Sequence, residues 1–339
     1  MNKLRGIIFA VSLAANAIAA DTKPKTPDVA MEVYGGWSEC LVLRGGDCKA
    51  VVVPAIGGRV LNYSINGENI LFDNPAANGR TLLNSSNFQA GGYQLDVGPE
   101  LRGIPNHRWL WQGPWNWRVP RPFAVHTYSE PEHALGVQLE KDFVIDPDSG
   151  ELGLTQRLRN IASNDVSFCL WDRTLCKGGG FALVPLNKKS RFKAGWAMRQ
   201  GKKVSDYRYE GDLPSDARVR IMDGVLVAHA KALPDAPELK VGADSDAGWI
   251  AYARGKVLFV KYFPVFADAD YSDGGNSVEF YCNDRVAELE PISPETKLTP
   301  DEVFNFPEKW ILIELPHEIT TYEKARALVK QIPRSPFAR

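Results

Sequence analysis

The chain consists largely of short runs in which apolar and polar residues alternate, the period-two pattern that is typical of β-strands. In residues 277–294, two such runs flank the turn-forming pair Asn283-Asp284 and predict a hairpin. Because strand side chains alternate between faces, Glu288 and Glu290 share one face of the second run, roughly 7 Å apart. Two carboxylates on a rigid strand are suited to proton transfer, although the same spacing also fits a solvated strand face.

Similar runs recur along the chain, and Gly-Gly or Asn-Gly pairs separate several of them. More than a dozen short strands with turn signals about every 8–12 residues predict a large antiparallel β-sandwich. The predicted strands outside the hairpin are 39–43, 49–54, 59–65, 69–72, 123–128, 136–145, 152–160, 166–175, 181–185, 219–222, 225–230, 249–253, 256–263 and 310–315.

Three segments depart from this pattern. Residues 73–122 are rich in proline and tryptophan, and irregular segments this long are usually functional. Residues 187–216 are polar and basic, which predicts an excursion with little core. Near the end, Thr320 with Glu323 three residues later forms a capping box ahead of good helix formers. The predicted fold class is therefore all-β with a short C-terminal helix.

The first twenty residues have the pattern of a secretory signal peptide. Lys3 and Arg5 precede an apolar run over residues 6–15, and small residues follow up to Ala20. The apolar run is shorter than the about 20 residues that a membrane span needs, so no membrane anchor is expected. We expect a secreted or periplasmic protein with a signal peptide at 1–20, cleaved near Ala20, a flexible leader at 21–30 and a single domain at 31–339.

Charge and metal-binding motifs limit the partners. Loss of Lys3 and Arg5 with the signal peptide would change the formal net charge from −1 to −3, and no basic block indicates nucleic-acid binding. No Cys-x-x-Cys pair supports a zinc site. The acidic run at 268–274 misses the spacing of a calcium loop and predicts a polar turn. We expect no metal and no cofactor.

Five cysteines are an odd number for an exported chain and leave at least one thiol unpaired. Cys40 and Cys48 flank the turn pair Gly45-Gly46 and are the one disulfide that the sequence suggests. Strand alternation argues against it, because a two-residue turn would place the two side chains on opposite faces.

Several motifs follow one another in the order found in a known family. Residues 52–60 read VVPAIGGRV, and a hairpin and the run NILF at 69–72 follow. Residues 287–294 read AELEPISP, and they precede a Leu-x-Pro at 298–300 and Trp310 on a final strand. These motifs, with Gly91-Gly92 and GGGFALVP at 178–185, resemble a poorly characterised branch of the galactose-mutarotase-like (aldose 1-epimerase) superfamily. The match spans roughly residues 30–316 and implies an antiparallel β-supersandwich whose concave sheet binds a sugar.

The resemblance also implies a chemistry. In the mutarotases, a glutamate on a late strand takes the proton of the anomeric hydroxyl, and a histidine on a middle strand protonates the ring oxygen. By position, Glu290 matches the base, with Glu288 as the alternative. Residues 170–174 read LWDRT, with no histidine where the acid is expected. His107, in the tryptophan-rich segment, is the candidate to supply the missing imidazole.

Further residues are predicted to bind the ligand. Trp171 and Arg173 share one face of their strand, so either both reach a pocket or both pack in the core. Asp172 is an alternative acid if its pKa is raised substantially. The tryptophan-rich segment adds Trp109 and Arg102, since sugar sites combine stacked aromatic rings with hydrogen bonds from arginine. The alternative is that Trp109 to Trp117 cover the end of the sandwich.

The resemblance leaves two functions open. The first is carbohydrate binding without catalysis, because the catalytic histidine is missing from the middle strand. The alternative is an aldose epimerase-like enzyme with Glu290 as the general base. A histidine nitrogen within about 6 Å of a Glu290 oxygen, across an open cleft, would favour the enzyme.

Overall fold

The computed structural model describes residues 28–102 and 107–338, so the predicted signal peptide and most of the predicted leader lie outside it. Within the described residues, two antiparallel β-sheets pack face to face. The larger sheet has thirteen strands in this part of the chain: β1 Val29–Tyr34, β2 Trp37–Gly45, β3 Cys48–Val53, β4 Arg59–Ile65, β5 Glu68–Asn69, β6 Gly92–Gly98, β11 Val166–Lys177, β13 Ala197–Gln200, β14 Arg208–Glu210, β17 Leu239–Ala243, β20 Val278–Cys282, β21 Val286–Pro291 and β22 Thr296–Leu298.

The smaller sheet has ten strands in the same part of the chain: β7 Asn116–Arg121, β8 Ala124–Tyr128, β9 Val137–Ile145, β10 Leu152–Asn160, β12 Phe181–Pro185, β15 Val219–Met222, β16 Val225–His229, β18 Trp249–Arg254, β19 Val257–Tyr262 and β23 Val303–Glu314. Two short α-helices accompany the sheets, α1 Arg108–Gln112 and α2 Tyr322–Ala327. Turns of 3₁₀ helix occur at Pro54–Ile56, Pro75–Ala77, Glu100–Arg102, Val204–Asp206 and Leu328–Gln331.

The main hydrophobic core lies between the sheets. Tyr63 and Tyr93 of the larger sheet contact the indole of Trp310 from β23, with ring centroids 5.9 and 5.3 Å apart. Strands β9 and β10 alternate between buried and partly exposed residues along their length, because one face meets the core and the other meets solvent. The predicted all-β sandwich with a short C-terminal helix is confirmed.

The middle of the larger sheet is built from segments that are far apart in the chain. Its central strands follow the order β4-β6-β11-β21-β20-β17, and all of these neighbours are antiparallel. Register pairs Glu279 directly with Glu290, and Lys240 with Tyr281. This order brings polar side chains of four strands to one region of the sheet.

The structure corrects four details of the sequence prediction. Residues 73–122 contain the central strand β6, and residues 187–216 contain β13 and β14, which extend the larger sheet. Helix α2 is capped by Thr321, whose side chain accepts a hydrogen bond from the backbone N–H of Lys324, and not by Thr320. All five cysteines are free thiols; Cys48 lies in the core between the sheets, whereas Cys40 packs in a separate cluster beside Trp37.

In the part of the chain that the structure describes, no helix is both long enough and apolar enough to span a bilayer.

Candidate functional site

A cavity of about 320 Å³ lies on the face of the larger sheet that points away from the smaller sheet. Its walls come mainly from β11, β17, β21 and the loops beside them. The described residues that line it are Phe72, Asn74, Gln89, Glu100, Trp171, Arg173, Leu175, Arg199, Lys240, Tyr281, Asn283, Arg285, Val286, Glu288 and Glu290.

One buried ammonium group organises this cavity. Lys240 Nζ lies 2.8 Å from Glu100 Oε2, 2.9 Å from Glu279 Oε2 and 3.0 Å from Glu290 Oε2. Burial opposes its charge, but the three carboxylates raise the pKa of Lys240 well above its usual value. Arg199 Nη1 donates to Glu100 Oε1 at 2.9 Å and extends the network.

Glu290 is fully buried and held by two donors. Its Oε2 accepts hydrogen bonds from Trp171 Nε1 at 2.7 Å and from Lys240 Nζ at 3.0 Å. Its Oε1 has no hydrogen-bond partner among the described residues. Both donors approach Oε2, so Oε1 is the oxygen of Glu290 that is left to accept a hydrogen bond from a ligand.

Glu288 lies two residues earlier on the same face and is only partly buried. Burial and the neighbouring charge of Glu290 raise the pKa of Glu288 to about 7, against the opposing influence of Arg173 and Lys240. Glu279 has its pKa raised to about 7, mainly by burial. A carboxyl group that titrates near neutral pH is present there in both its protonated and its charged form. It can therefore donate a hydrogen bond to a ligand or accept one from it.

Trp171 and Arg173 both line the cavity, so of the two alternatives that their shared strand face left open, a common pocket or common core packing, the structure shows the first. The guanidinium carbon of Arg173 lies 4.5 Å from the centre of the Trp171 ring, and Arg173 Nη2 lies 3.2 Å from Asp96 Oδ2. Lys240 Nζ also lies against the indole, 4.8 Å from its centre. The indole is therefore fixed by cation–π contacts and by its hydrogen bond to Glu290.

Asp172 lies on the opposite face of β11 and does not reach the cavity, which corrects the prediction that it could act there. Its Oδ1 accepts hydrogen bonds from Lys261 Nζ at 2.5 Å and from the Thr174 hydroxyl at 2.9 Å. Lys261 belongs to β19 of the smaller sheet, so this contact lies between the sheets. Burial and the nearby charge of Glu308 raise the pKa of Asp172, but this carboxyl group lies in the core and not in the cavity.

The tryptophan-rich segment contributes less than predicted. No histidine is among the described residues that line the cavity, and His107 Nδ1 lies 3.6 Å from Glu132 Oε2 outside it. The Trp109 side chain is 56% exposed and lies outside the lining, whereas Trp111 lies 5.4 Å from the Arg173 guanidinium. The side chain of Arg102 lies outside the described residues.

The sequence prediction missed three charged residues of the network around Glu290. Glu100, Arg199 and Lys240 come from segments that were interpreted as loops or left without a predicted strand. One signal was available for Lys240, which interrupts the otherwise apolar or small run LKVGA of β17. No group of three or more histidine, cysteine, aspartate or glutamate side chains in the described residues is arranged to hold a metal ion.

Comparison of the sequence with protein-family models finds no match, and comparison with curated proteins finds none either. Comparison with solved structures finds similar folds. A proposed aldose 1-epimerase from Escherichia coli K12 has a TM-score of 0.59 and 11% identity, and the alignment covers 81% of this chain and 99% of that one. A galactose mutarotase related enzyme from Lactobacillus acidophilus has a TM-score of 0.56 and 8% identity, over 83% and 100% of the two chains.

A galactose mutarotase-like protein from Lactobacillus casei has a TM-score of 0.55 and 11% identity, over 81% of this chain and 100% of that one. These alignments cover four fifths or more of the chain and nearly the whole of each neighbour. Sequence identity this low shows only that the folds are similar. The chain therefore has the fold of the galactose-mutarotase-like proteins.

Proposed function

We propose that this protein binds a carbohydrate in the cavity of the larger sheet and does not catalyse mutarotation. The fold supports a sugar ligand, and the cavity volume of about 320 Å³ lies within the range of about 300–1,000 Å³ that is usual for small-molecule sites. Carboxylate, amide and guanidinium groups with the indole of Trp171 supply the hydrogen-bonding and apolar contacts that sugars require.

One observation favours binding over catalysis. Glu290, the predicted base, is held by Trp171 and Lys240, and no imidazole is among the described residues around the cavity to act as its acid. Ring opening needs a base and an acid on opposite sides of the sugar. The cavity offers a binding surface without this pair.

The proposal is tested by titrating the protein with a panel of neutral and acidic sugars while tryptophan fluorescence is recorded. Binding should change the fluorescence of the wild type, and Trp171→Phe should lose most of this change. Trp109→Phe is the matched control, because this indole is exposed outside the cavity. Interconversion of the anomers, followed by NMR in the same samples, should proceed at the uncatalysed rate. A panel without any binding would refute the proposal.

An aldose epimerase-like activity is the second candidate, and the raised pKa of Glu288 is the observation that favours it. A carboxyl group with a pKa of about 7 suits a general base near neutral pH. Under this alternative, the wild type accelerates anomer exchange and Glu288→Gln abolishes the acceleration, while Glu290→Gln has the smaller effect.

We also propose that the protein is exported, with cleavage near Ala20. The charged start, the apolar run and the small residues of the first twenty positions support this proposal.

A further inference from the structure

The cations that line the cavity differ in their partners. Arg173 pairs with Asp96 at 3.2 Å, Arg199 with Glu100 at 2.9 Å, and Lys240 with three glutamates. Arg285 is exposed, and among the described residues it makes no ion pair. Its guanidinium carbon lies 5.5 Å from the centre of the Phe72 ring. The cavity therefore has one cation that no protein carboxylate neutralises in the described structure.

The backbone holds Arg285 in place at this end of the cavity. Its N–H donates to Asn283 Oδ1 at 2.8 Å, and its carbonyl accepts from the N–H of Gly178 at 2.8 Å. A Cβ at Gly178 would lie 2.9 Å from the Asp284 carbonyl, so the turn packs closely on its neighbour. Phe72 is fixed as well, since its N–H bonds to the Leu175 carbonyl at 2.9 Å. The backbone that carries Arg285 is thus fixed, so a ligand has to order the arginine side chain but not the turn itself.

The two ends of the cavity offer different chemistry. Arg285 and Glu288 are three steps apart along an extended chain, so roughly 10 Å separates their backbone positions. Both side chains are long, so they can contact opposite ends of one small ligand. Glu288 and the Trp171 indole present hydrogen-bonding and apolar surface at one end. Phe72 and Arg285 present an apolar ring with an unpaired cation at the other end.

We infer that the cavity takes a sugar that carries an anionic substituent, and that Arg285 pairs with this group while Phe72 packs against the adjoining ring. The inference rests on the proposed carbohydrate-binding function and specifies its ligand class. A guanidinium binds carboxylate, sulfate and phosphate groups through paired, charge-assisted hydrogen bonds. Any of these groups on a sugar satisfies the same site, and a neutral sugar leaves Arg285 unpaired.

The test is isothermal titration calorimetry with matched neutral and acidic sugars. The probes are galactose with galacturonate, galactose 6-phosphate and galactose 6-sulfate, and glucose with glucuronate and glucose 6-phosphate. At least one acidic sugar should bind about tenfold or more tightly than its neutral parent, and added salt should reduce the difference. The acidic member that binds most tightly identifies the anionic group.

Variants of Arg285 test whether this residue causes the preference for acidic sugars. Arg285→Gln should lower the affinity for the acidic sugar to that of the neutral parent, and Arg285→Lys should retain part of it. Arg121→Gln is the matched control, because Arg121 is also exposed and forms no ion pair in the described residues but lies on the smaller sheet. Neutral sugars that bind as tightly as acidic ones, or an equal effect of Arg285→Gln on both, would overturn the inference and leave carbohydrate binding intact. No binding by any of these sugars would overturn both.

Discussion

At the scale of single residues, the cavity concentrates more carboxylates than cations around Lys240. Glu100, Glu279 and Glu290 all approach its ammonium group within 3.0 Å, and Glu288 follows on the same strand face. Lys240 and Arg199, which pairs with Glu100, supply two positive charges to these four carboxylates, so negative charge remains in excess. The excess negative charge explains why the pKa values of Glu279 and Glu288 rise to about 7 in addition to the effect of burial.

The first prediction concerns pH. Between pH 4.5, the usual glutamate value, and about 7, the folded protein retains protons on Glu279 and Glu288 that the unfolded chain has released. The contribution of these groups to the free energy of unfolding should therefore decrease as pH rises through this window, and then level off. Glu288→Gln should be more stable than the wild type by about 1 kcal/mol at pH 8, after allowance for its partial exposure, and nearly equal at pH 4.5.

Urea unfolding at a series of pH values measures this difference, and Glu318→Gln, at an exposed glutamate, is the control. A difference between Glu288→Gln and the wild type that does not change with pH would contradict the electrostatic account of the cavity.

The second prediction concerns Lys240. Lys240→Met keeps the aliphatic stem but leaves the buried carboxylates of Glu279 and Glu290 without their cation, so it should cost roughly 3–5 kcal/mol of unfolding free energy. Lys297→Met removes an exposed partner of Asp165 and should change stability by less than about 1 kcal/mol. Equal midpoints for the two variants in urea unfolding would show that the Lys240 cluster does not hold the cavity together.

Some residues of the cavity were predictable because the side chains of a strand alternate between its two faces. This alternation can be read from neighbouring residues of the sequence. Alternation alone placed Glu288 with Glu290, and Trp171 with Arg173, and the structure brings both pairs to one cavity. The same rule assigns Asp172 to the opposite face, but the sequence interpretation did not apply the rule to this residue. The contact of Lys240 with Glu290 was not predictable, because it depends on the pairing of β17 with β20, about 40 residues away in the chain.

At the scale of elements, strands with regular alternation and clear turns were predicted best. Leu152–Asn160, Phe181–Pro185 and Val219–Met222 match the structure at both ends. The central strand Gly92–Gly98 was missed because it begins and ends with glycine, which weakens the strand pattern. Gly92 is required there, since a Cβ at this position would lie 2.2 Å from the Val60 carbonyl.

The third prediction concerns helix α2. Thr321→Ala removes the side chain that accepts a hydrogen bond from the N–H of Lys324 and should lower the free energy of unfolding by about 1 kcal/mol. Thr320→Ala, one position earlier, should have little effect because Thr320 is not the cap. Denaturant unfolding of the two variants distinguishes them, and a larger loss for Thr320→Ala would contradict the observed cap.

At the scale of the whole molecule, a buried polar network connects the two sheets. Lys261 Nζ of β19 lies 2.5 Å from Asp172 Oδ1 of the larger sheet and 3.3 Å from Glu308 Oε2 of β23. The number and spacing of strands predicted a sandwich of this kind. They could not predict the strand order, because pairing between distant segments depends on packing of the complete core and not on local pattern.

The fourth prediction concerns export. When the full-length chain is expressed with its own first twenty residues, the mature protein should be recovered from the periplasm or the medium with an N-terminus near Asp21. N-terminal sequencing of the purified protein provides the measurement. An intact N-terminus on protein that stays in the cytoplasm would refute the signal peptide.

The position of a bound sugar tests the central proposal most directly. Crystals soaked with the sugar that binds most tightly in solution should show its ring in the cavity, in contact with Trp171 and Glu288, with its anionic group at Arg285. A larger cavity of about 780 Å³, lined by Arg191 and Phe266 among others, lies elsewhere on the protein. Sugar bound there, with the Trp171 cavity empty at a saturating concentration, would contradict the proposed site.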